Sequence, residues 1–245
     1  MKAKPRFKLL LAIVFACSAS ALDSLASELL PGVFGTDDRM PALEYSDWSA
    51  VGHVNIGGYG AKTWQCTGSL VNARIVLTAA HCVWNRRLRR LFALDRVHFV
   101  AGVRPGGSYF AHSTAKCLKI PNGYPDDAPD IALIILNDAI TDLKILDIDK
   151  QPVLAVDSRI THAAYPADRR YQLMLHRNCK VLARNPGLIA TDCDTHNAGS
   201  GGPILVETKV DKKIVGVLSG VVKEKASVAY TLDSWPELQL NATCP

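Results

Sequence analysis

Three short segments of this chain carry the residue types that an acyl-transfer reaction needs. In Leu77-Thr-Ala-Ala-His-Cys82, two alanines precede a histidine and let the backbone turn tightly, so that an imidazole can point into a cleft. In Pro129-Asp-Ile-Ala-Leu133 an acid stands at the mouth of an apolar strand. A carboxylate is costly to bury there unless it is hydrogen-bonded, and an imidazole N–H is a suitable donor. In Asn197-Ala-Gly-Ser-Gly-Gly-Pro203 a serine is enclosed by small residues. These let a carbonyl approach the hydroxyl and let backbone N–H groups converge on a developing oxyanion. Each segment has a plainer reading when taken alone: a structural or surface histidine, a turn acid at a strand edge, a flexible Gly/Ser loop. Together His81, Asp130 and Ser200 supply a general base, the acid that orients it and a nucleophile.

The elements that must hold these residues are strands. From residue 48 onward, short β-branched apolar stretches are broken by Gly, Pro, Asn and Asp, which is how a barrel or a sandwich reads. Val51–Ile56, Arg74–Thr78, Arg96–Val100, Ile131–Leu136 and Ile214–Leu218 are examples. No long stretch keeps a 3.6-residue apolar period, so helices are expected to be few and short, with turns at Ala79–Val83 and near Ser234–Leu240. The polar stretch Asn137–Pro152 reads as the connection between two barrels, at about 48–140 and about 150–235.

At 245 residues and 48% hydrophobic composition, the chain is long enough to bury a sizeable core. Lys2, Lys4, Arg6 and Lys8, then the apolar run Leu9–Ala16 and the small residues Ala19-Ser20-Ala21, read as an export signal over residues 1–21. The run is too short to span a bilayer, so no stable membrane insertion is expected. A lipid anchor on Cys17 is the alternative, against which the bulky Phe15 counts. Residues 22–34 read as a short propeptide or amino-terminal arm.

Removing residues 1–21 takes away four basic and no acidic side chains, so the formal charge falls from +5 to +1. This balance argues against a nucleic-acid partner. The one basic cluster, Arg86-Arg-Leu-Arg-Arg90, reads first as a solvated loop and second as an anion-binding patch or a proteolytic target. Seven cysteines become six once Cys17 leaves with the signal, an even number that suggests disulfides in an exported protein rather than metal ligation. Cys193 and His196 form a C-x-x-H, but His162 and His176 do not stand at paired zinc-ligand spacing, so no metal is expected.

With these motifs quoted, the chain resembles the trypsin- and chymotrypsin-like serine peptidases. The match rests on LTAAHC at 77–82, DIAL at 130–133 and GSGGP at 199–203, and extends from about residue 35 to the carboxyl terminus. Gly35-Thr-Asp-Asp-Arg39, Ala164-Tyr-Pro-Ala-Asp168 and Cys193-Asp-Thr195 are similar to segments of the bacterial glutamyl-endopeptidase-like branch. The resemblance implies an all-β fold of two six-stranded antiparallel β-barrels, chymotrypsin-like, spanning 35–245 with the active site in the cleft between them. It implies Ser200 as nucleophile, His81 as base, Asp130 as its partner, and the N–H groups of Ala198 and Ser200 as oxyanion donors. Substrates would be extended protein or peptide segments paired with Leu218-Ser219-Gly220. No metal or organic cofactor is implied, and the chain is expected to act as a monomer outside the cytoplasm, secreted or periplasmic. The segment Cys66–Val71 ahead of the histidine implies a Cys66–Cys82 disulfide. Closeness in sequence suggests Cys179 with Cys193, leaving Cys117 with Cys244, although sequence alone does not fix these two pairs.

The departures from that family bear on activity and specificity. Gly199 stands where pancreatic-type members carry an aspartate that pairs with a newly freed amino terminus, so activation by that ion pair is not expected. Ala198 replaces a usual glycine, and a Cβ is strained wherever φ is positive. Asp194 aligns with the acid at the base of the pocket in trypsins, which would favour Arg or Lys, and it also reads as a buried structural acid. Thr195 matches a threonine of glutamyl-specific relatives, whereas Leu218 replaces their pocket histidine. Val221 would narrow the pocket. The expectation is a serine endopeptidase, and the alternative is a catalytically impaired homologue acting as a binding protein. A serine esterase fits less well, because Ala198 breaks the G-x-S-x-G elbow.

Overall fold

The computed structural model describes residues 30–60, 63–208, 211–222 and 225–244. The expected export signal at 1–21 and residues 22–29 of the arm lie outside the described residues. Six strands form the first barrel: β1 (Val51–Ile56), β2 (Trp64–Asn72), β3 (Ile75–Thr78), β4 (Val97–Ala101), β5 (Ala111–Lys119) and β6 (Ala132–Leu136). They close antiparallel in the order β1-β2-β3-β6-β5-β4. Six more, β7 (Arg159–Ala164), β8 (Met174–Asn185), β9 (Leu188–Thr191), β10 (Pro203–Glu207), β11 (Lys212–Val222) and β12 (Ala226–Thr231), form the second. Their ring runs β7-β10-β11-β12-β9-β8 and closes through β8 pairing with β7. The described residues contain no α-helix and five 3₁₀ turns.

Every residue of β1, β3 and β6 is buried. The apolar runs of β3 and β6 therefore face either the barrel interior or neighbouring structure rather than alternating with solvent, as strands covered on both faces do, while β1 buries His53 and Asn55 among its apolar residues. Barrel curvature also leaves no room for some side chains. A Cβ built on Gly52 would lie 2.3 Å from the Val100 carbonyl oxygen on β4, so β1 can approach β4 there only as glycine. One apolar cluster runs from the first barrel through Ala163, Tyr165, Leu205 and Val217 into the seam, and a second, with Ile160, Val181, Ile204 and Leu218, fills the other barrel.

The polar connection is not free of the second barrel. Asp147–Ile148 pairs parallel with Lys213 and Ile214 of β11, and Asp149 N–H donates to the Ile214 carbonyl at 2.9 Å. The helical turn expected at Ala79–Val83 is a 3₁₀ turn at Ala80–Cys82. The one expected near Ser234–Leu240 is instead Leu232–Ser234, with Trp235 leaving the helical region at φ −121, ψ 82. Pro236 explains the early stop, since its ring pushes the preceding residue toward extended backbone. Cys117–Cys244 ties the carboxyl-terminal segment to β5, and Cys179–Cys193 ties β8 to the segment that leads into the serine loop.

Replacing Gly52 with alanine would force β1 from β4, and overpacking of this kind costs about 1–3 kcal/mol. Denaturant unfolding of Gly52→Ala should show that loss; an unchanged midpoint would mean that the barrel yields there without cost.

Candidate active site

His81 and Asp130 leave the first barrel at the same end, because β3 and β6 are paired with Thr78 opposite Ala132. Ala79 and Ala80 are fully buried, so larger side chains could not make the turn that follows β3. The Cys66–Cys82 disulfide fixes the far side of that turn, and closing a loop of its length contributes about 3 kcal/mol.

Asp130 is 8% exposed and accepts three hydrogen bonds. Oδ1 takes the His81 backbone N–H at 2.8 Å, and Oδ2 faces His81 Nδ1 at 2.6 Å and takes the Ser219 hydroxyl at 2.5 Å. Burial pushes the carboxyl up, and the His81 and Ser219 donors outweigh it, so that the group titrates below its ordinary value. A carboxylate held ionised against Nδ1 keeps the proton on that nitrogen and leaves Nε2 as the acceptor.

Ser200 lies beside His81 on the wall of one open groove. Its hydroxyl donates to the Ser219 carbonyl at 3.1 Å, not to His81, and its own carbonyl accepts the Thr67 N–H of β2 at 2.8 Å. Ala198 has φ 72, in the left-handed region. Thr67 Oγ1 holds the Ala198 carbonyl at 3.0 Å, and among the described residues neither Ala198 N–H nor Ser200 N–H has an acceptor. Glycine at 199 has a steric cause here: an added Cβ would lie 2.1 Å from Thr195 Oγ1. That threonine hydroxyl is engaged with His162 Nε2 at 3.2 Å.

The six residues expected at the substrate pocket fall into two groups. Ser219, Gly220 and Val221 are partly or largely exposed along β11, whereas Asp194, Thr195 and Leu218 are buried, Leu218 within the second barrel's core. The Asp194 carboxylate accepts Phe34 N–H at 2.8 Å and Asp38 N–H at 3.0 Å, and its backbone N–H donates to His176 Nδ1 at 2.7 Å. Burial raises this carboxyl too, and His176 with the two amides more than offsets the rise, leaving it below its ordinary value. The arm reaches further: Gly32 accepts the Thr195 N–H at 2.8 Å, and a Cβ on Gly32 would lie 3.1 Å from Val221 Cγ1.

Three participants escaped sequence reasoning. Ser219 was assigned only to the pocket strand, yet its hydroxyl reaches Asp130. Thr67 anchors both Ala198 and the Tyr165 N–H. Arg39, 4% exposed, forks between Asp37 and Asp168, joining two segments whose family likeness was visible but whose contact was not. Among the described residues, two clusters have metal-ligand types, Cys66-His81-Cys82 and Asp38-His176-Asp194. The first has both sulfurs in a disulfide, and in the second the backbone amides already occupy His176 Nδ1 and Asp194.

Residues 40–232 match the family model described as Trypsin. A CLIP domain-containing serine protease B10 of Anopheles gambiae is 33% identical over 112 residues, 44% of this chain and 25% of that protein. The phenoloxidase-activating factor 1 of Holotrichia diomphalia is 39% identical over 66 residues, 26% of this chain and 17% of that protein. The matches thus span a quarter or less of these relatives' length. A solved Glu endopeptidase in complex with MPD superposes with a TM-score of 0.69 at 20% identity, covering 82% of this chain and 93% of that one. The Vibrio cholerae VesB protease superposes at 0.65 and 17% identity, covering 82% and 65%. The two superpositions show a shared fold. No helix among the described residues is long and apolar enough to cross a membrane.

Because Asp194 titrates below its unfolded value, its hold on the arm is present above the ordinary carboxylate value of 3.8 and lost as pH falls through the depressed one. Amide exchange should find Phe34 and Asp38 protected evenly from neutral pH down to about 5, and weakening only below 3.8. In Asp194→Asn, protection should fall about ten-fold at neutral pH, as loss of a charge-assisted bond implies. Equal protection in both proteins would separate Asp194 from the arm.

Proposed function

This chain belongs to the trypsin family of serine endopeptidases, and from that premise we propose that it hydrolyses peptide bonds through an acyl-enzyme formed on Ser200. The observation that carries this reading is the Asp130 carboxylate bonded to His81 Nδ1, with His81 and Ser200 lining one groove. A turn about the Ser200 Cα–Cβ bond takes its hydroxyl from the Ser219 carbonyl toward Nε2. His81 then accepts the hydroxyl proton as Oγ attacks the substrate carbonyl carbon. The oxyanion that forms lies against the Ala198 and Ser200 N–H groups. The imidazolium returns its proton to the leaving amine as the C–N bond breaks, and a water activated by His81 then hydrolyses the ester. The substrate's acyl half pairs in extended form with Leu218-Ser219-Gly220.

The peptidase domain is 35–245, preceded by an arm and by an export signal at 1–21. Export to an oxidising compartment agrees with the three disulfides. Asp194 serves the arm rather than a basic substrate side chain, since it is 1% exposed and its oxygens accept the arm's backbone amides. Val221 and the arm beside it narrow the specificity pocket.

The second reading is a binding protein whose oxyanion hole Ala198 has spoiled. Against it stands the φ of 72 at Ala198, the left-handed geometry that a glycine would adopt, held there despite the strain. Ala198→Gly should therefore change kcat/KM by less than about three-fold, while stability rises by up to about 1 kcal/mol. A gain of about a hundred-fold, the worth of a restored oxyanion donor, would favour the second reading.

The direct test is digestion of a denatured protein mixture by the purified exported protein beside Ser200→Ala, with cut sites read by mass spectrometry. Cuts made by the first and absent from the second are expected. Absence of cuts from both, in correctly folded protein, would contradict the proposal.

A further inference from the structure

An open groove of about 530 Å³ is lined by Ser200 and by none of residues 218–221 of β11. Its walls are Thr63, Trp64 and Gln65 from the start of the first barrel, Arg86 beyond the histidine turn, and Arg170 and Asn197 from the second barrel. If the acyl half of a peptide lies along Leu218-Ser219-Gly220, the half that departs lies here.

The groove is lined by two arginines and no carboxylate. Among the described residues neither Arg86 nor Arg170 makes an ion pair, whereas Arg89, from the same basic cluster, is paired with Asp126 at 2.7 Å. Arg170 is partly buried and fixed: it donates to the Gly60 carbonyl and to Thr63 Oγ1, and it lies 5.9 Å over the Tyr171 ring. Its Nε is buried without an acceptor. Arg86 is exposed and near the mouth. A fixed, uncompensated guanidinium in the groove that the reacting serine lines attracts a carboxylate and repels an ammonium, and partial burial weakens the screening.

Resting on the peptidase reading above, we propose that the enzyme selects substrates carrying an aspartate or glutamate side chain in the first two positions on the leaving side of the scissile bond. Arg170 and Arg86 are the specificity-determining residues. The basic cluster read from sequence as a solvated loop or an anion patch is thereby divided: Arg89 is tied to its own chain, and Arg86 is available to the substrate.

The test uses carboxyl-amidated peptides, so that only side-chain acids count, identical except for Asp, Glu, Gln or Lys in those two positions. The exported protein should cleave the acidic peptides about ten-fold more efficiently in kcat/KM than the lysine peptides at low salt, with the ratio shrinking as salt is added. Arg170→Lys should keep the direction of the preference, the Arg86→Gln, Arg170→Gln double variant should bring the ratio to within about two-fold, and the corresponding double glutamate variant should invert it. A flat ratio in the unaltered protein, or one that survives in the glutamine variant, overturns the proposal. If no peptide is cut at all, the peptidase reading fails separately. Fluorescence anisotropy with Ser200→Ala then decides the charge preference: about ten-fold tighter binding of the acidic peptides supports it, and equal binding of acidic and lysine peptides overturns it.

Discussion

A carboxylate buried at a seam between two barrels survives only if its charge is met, and Asp130 is met from both sides. His81 brings a backbone and a ring N–H from the first barrel, and Ser219 brings a hydroxyl from the second. Withdrawing either partner would leave a buried charge short of donors, a loss of about 1.5–3 kcal/mol for each hydrogen bond removed. The relative placement of the barrels, the orientation of the imidazole and the ionisation of the acid are therefore one constraint. The small residues around it follow from that constraint: buried Ala79 and Ala80 at the histidine turn, and glycine at 199 where Thr195 leaves no space for a Cβ.

The serine loop is braced from a second direction. Ala167 N–H donates to the Asn197 carbonyl at 2.6 Å, and the adjoining Asp168 is gripped by Arg39. Arg39 follows directly on the segment whose amides cap Asp194. The amino-terminal segment is thus connected to the serine loop through side-chain and backbone bonds. The same loop, 167–170, carries Arg170 into the groove, so the bracing element is also a wall of the cleft.

The two-barrel fold was legible because its signals are local: short apolar runs, turn residues between them, and small residues packed around a histidine and a serine. Boundaries moved by one residue at Ile131, which precedes β6 rather than opening it, and by more at Ile214–Leu218, which lies inside a strand of Lys212–Val222. What was not legible depends on register and on distant contacts. Nothing in Leu218-Ser219-Gly220 says which hydroxyl will face Asp130 across 89 positions. Arg39 and Asp168, 129 residues apart, stand in two segments that the family likeness picks out separately, and only the fold joins them. Asp194 aligned with a pocket acid, and only the position of the arm showed what its oxygens face. The early end of the Leu232–Ser234 turn was readable from Pro236 and was overlooked.

The proposed hydrolysis turns on Ser200 being activated by His81 across the seam. The most direct measurement treats the folded, disulfide-bonded protein with an organophosphonate that labels activated serines and maps the adduct by intact and peptide mass. One adduct per chain, on Ser200, is the predicted result, absent from Ser200→Ala and slowed at least a hundred-fold in His81→Ala. No adduct on the folded protein, or labelling that survives the loss of His81 at its original rate, would contradict it.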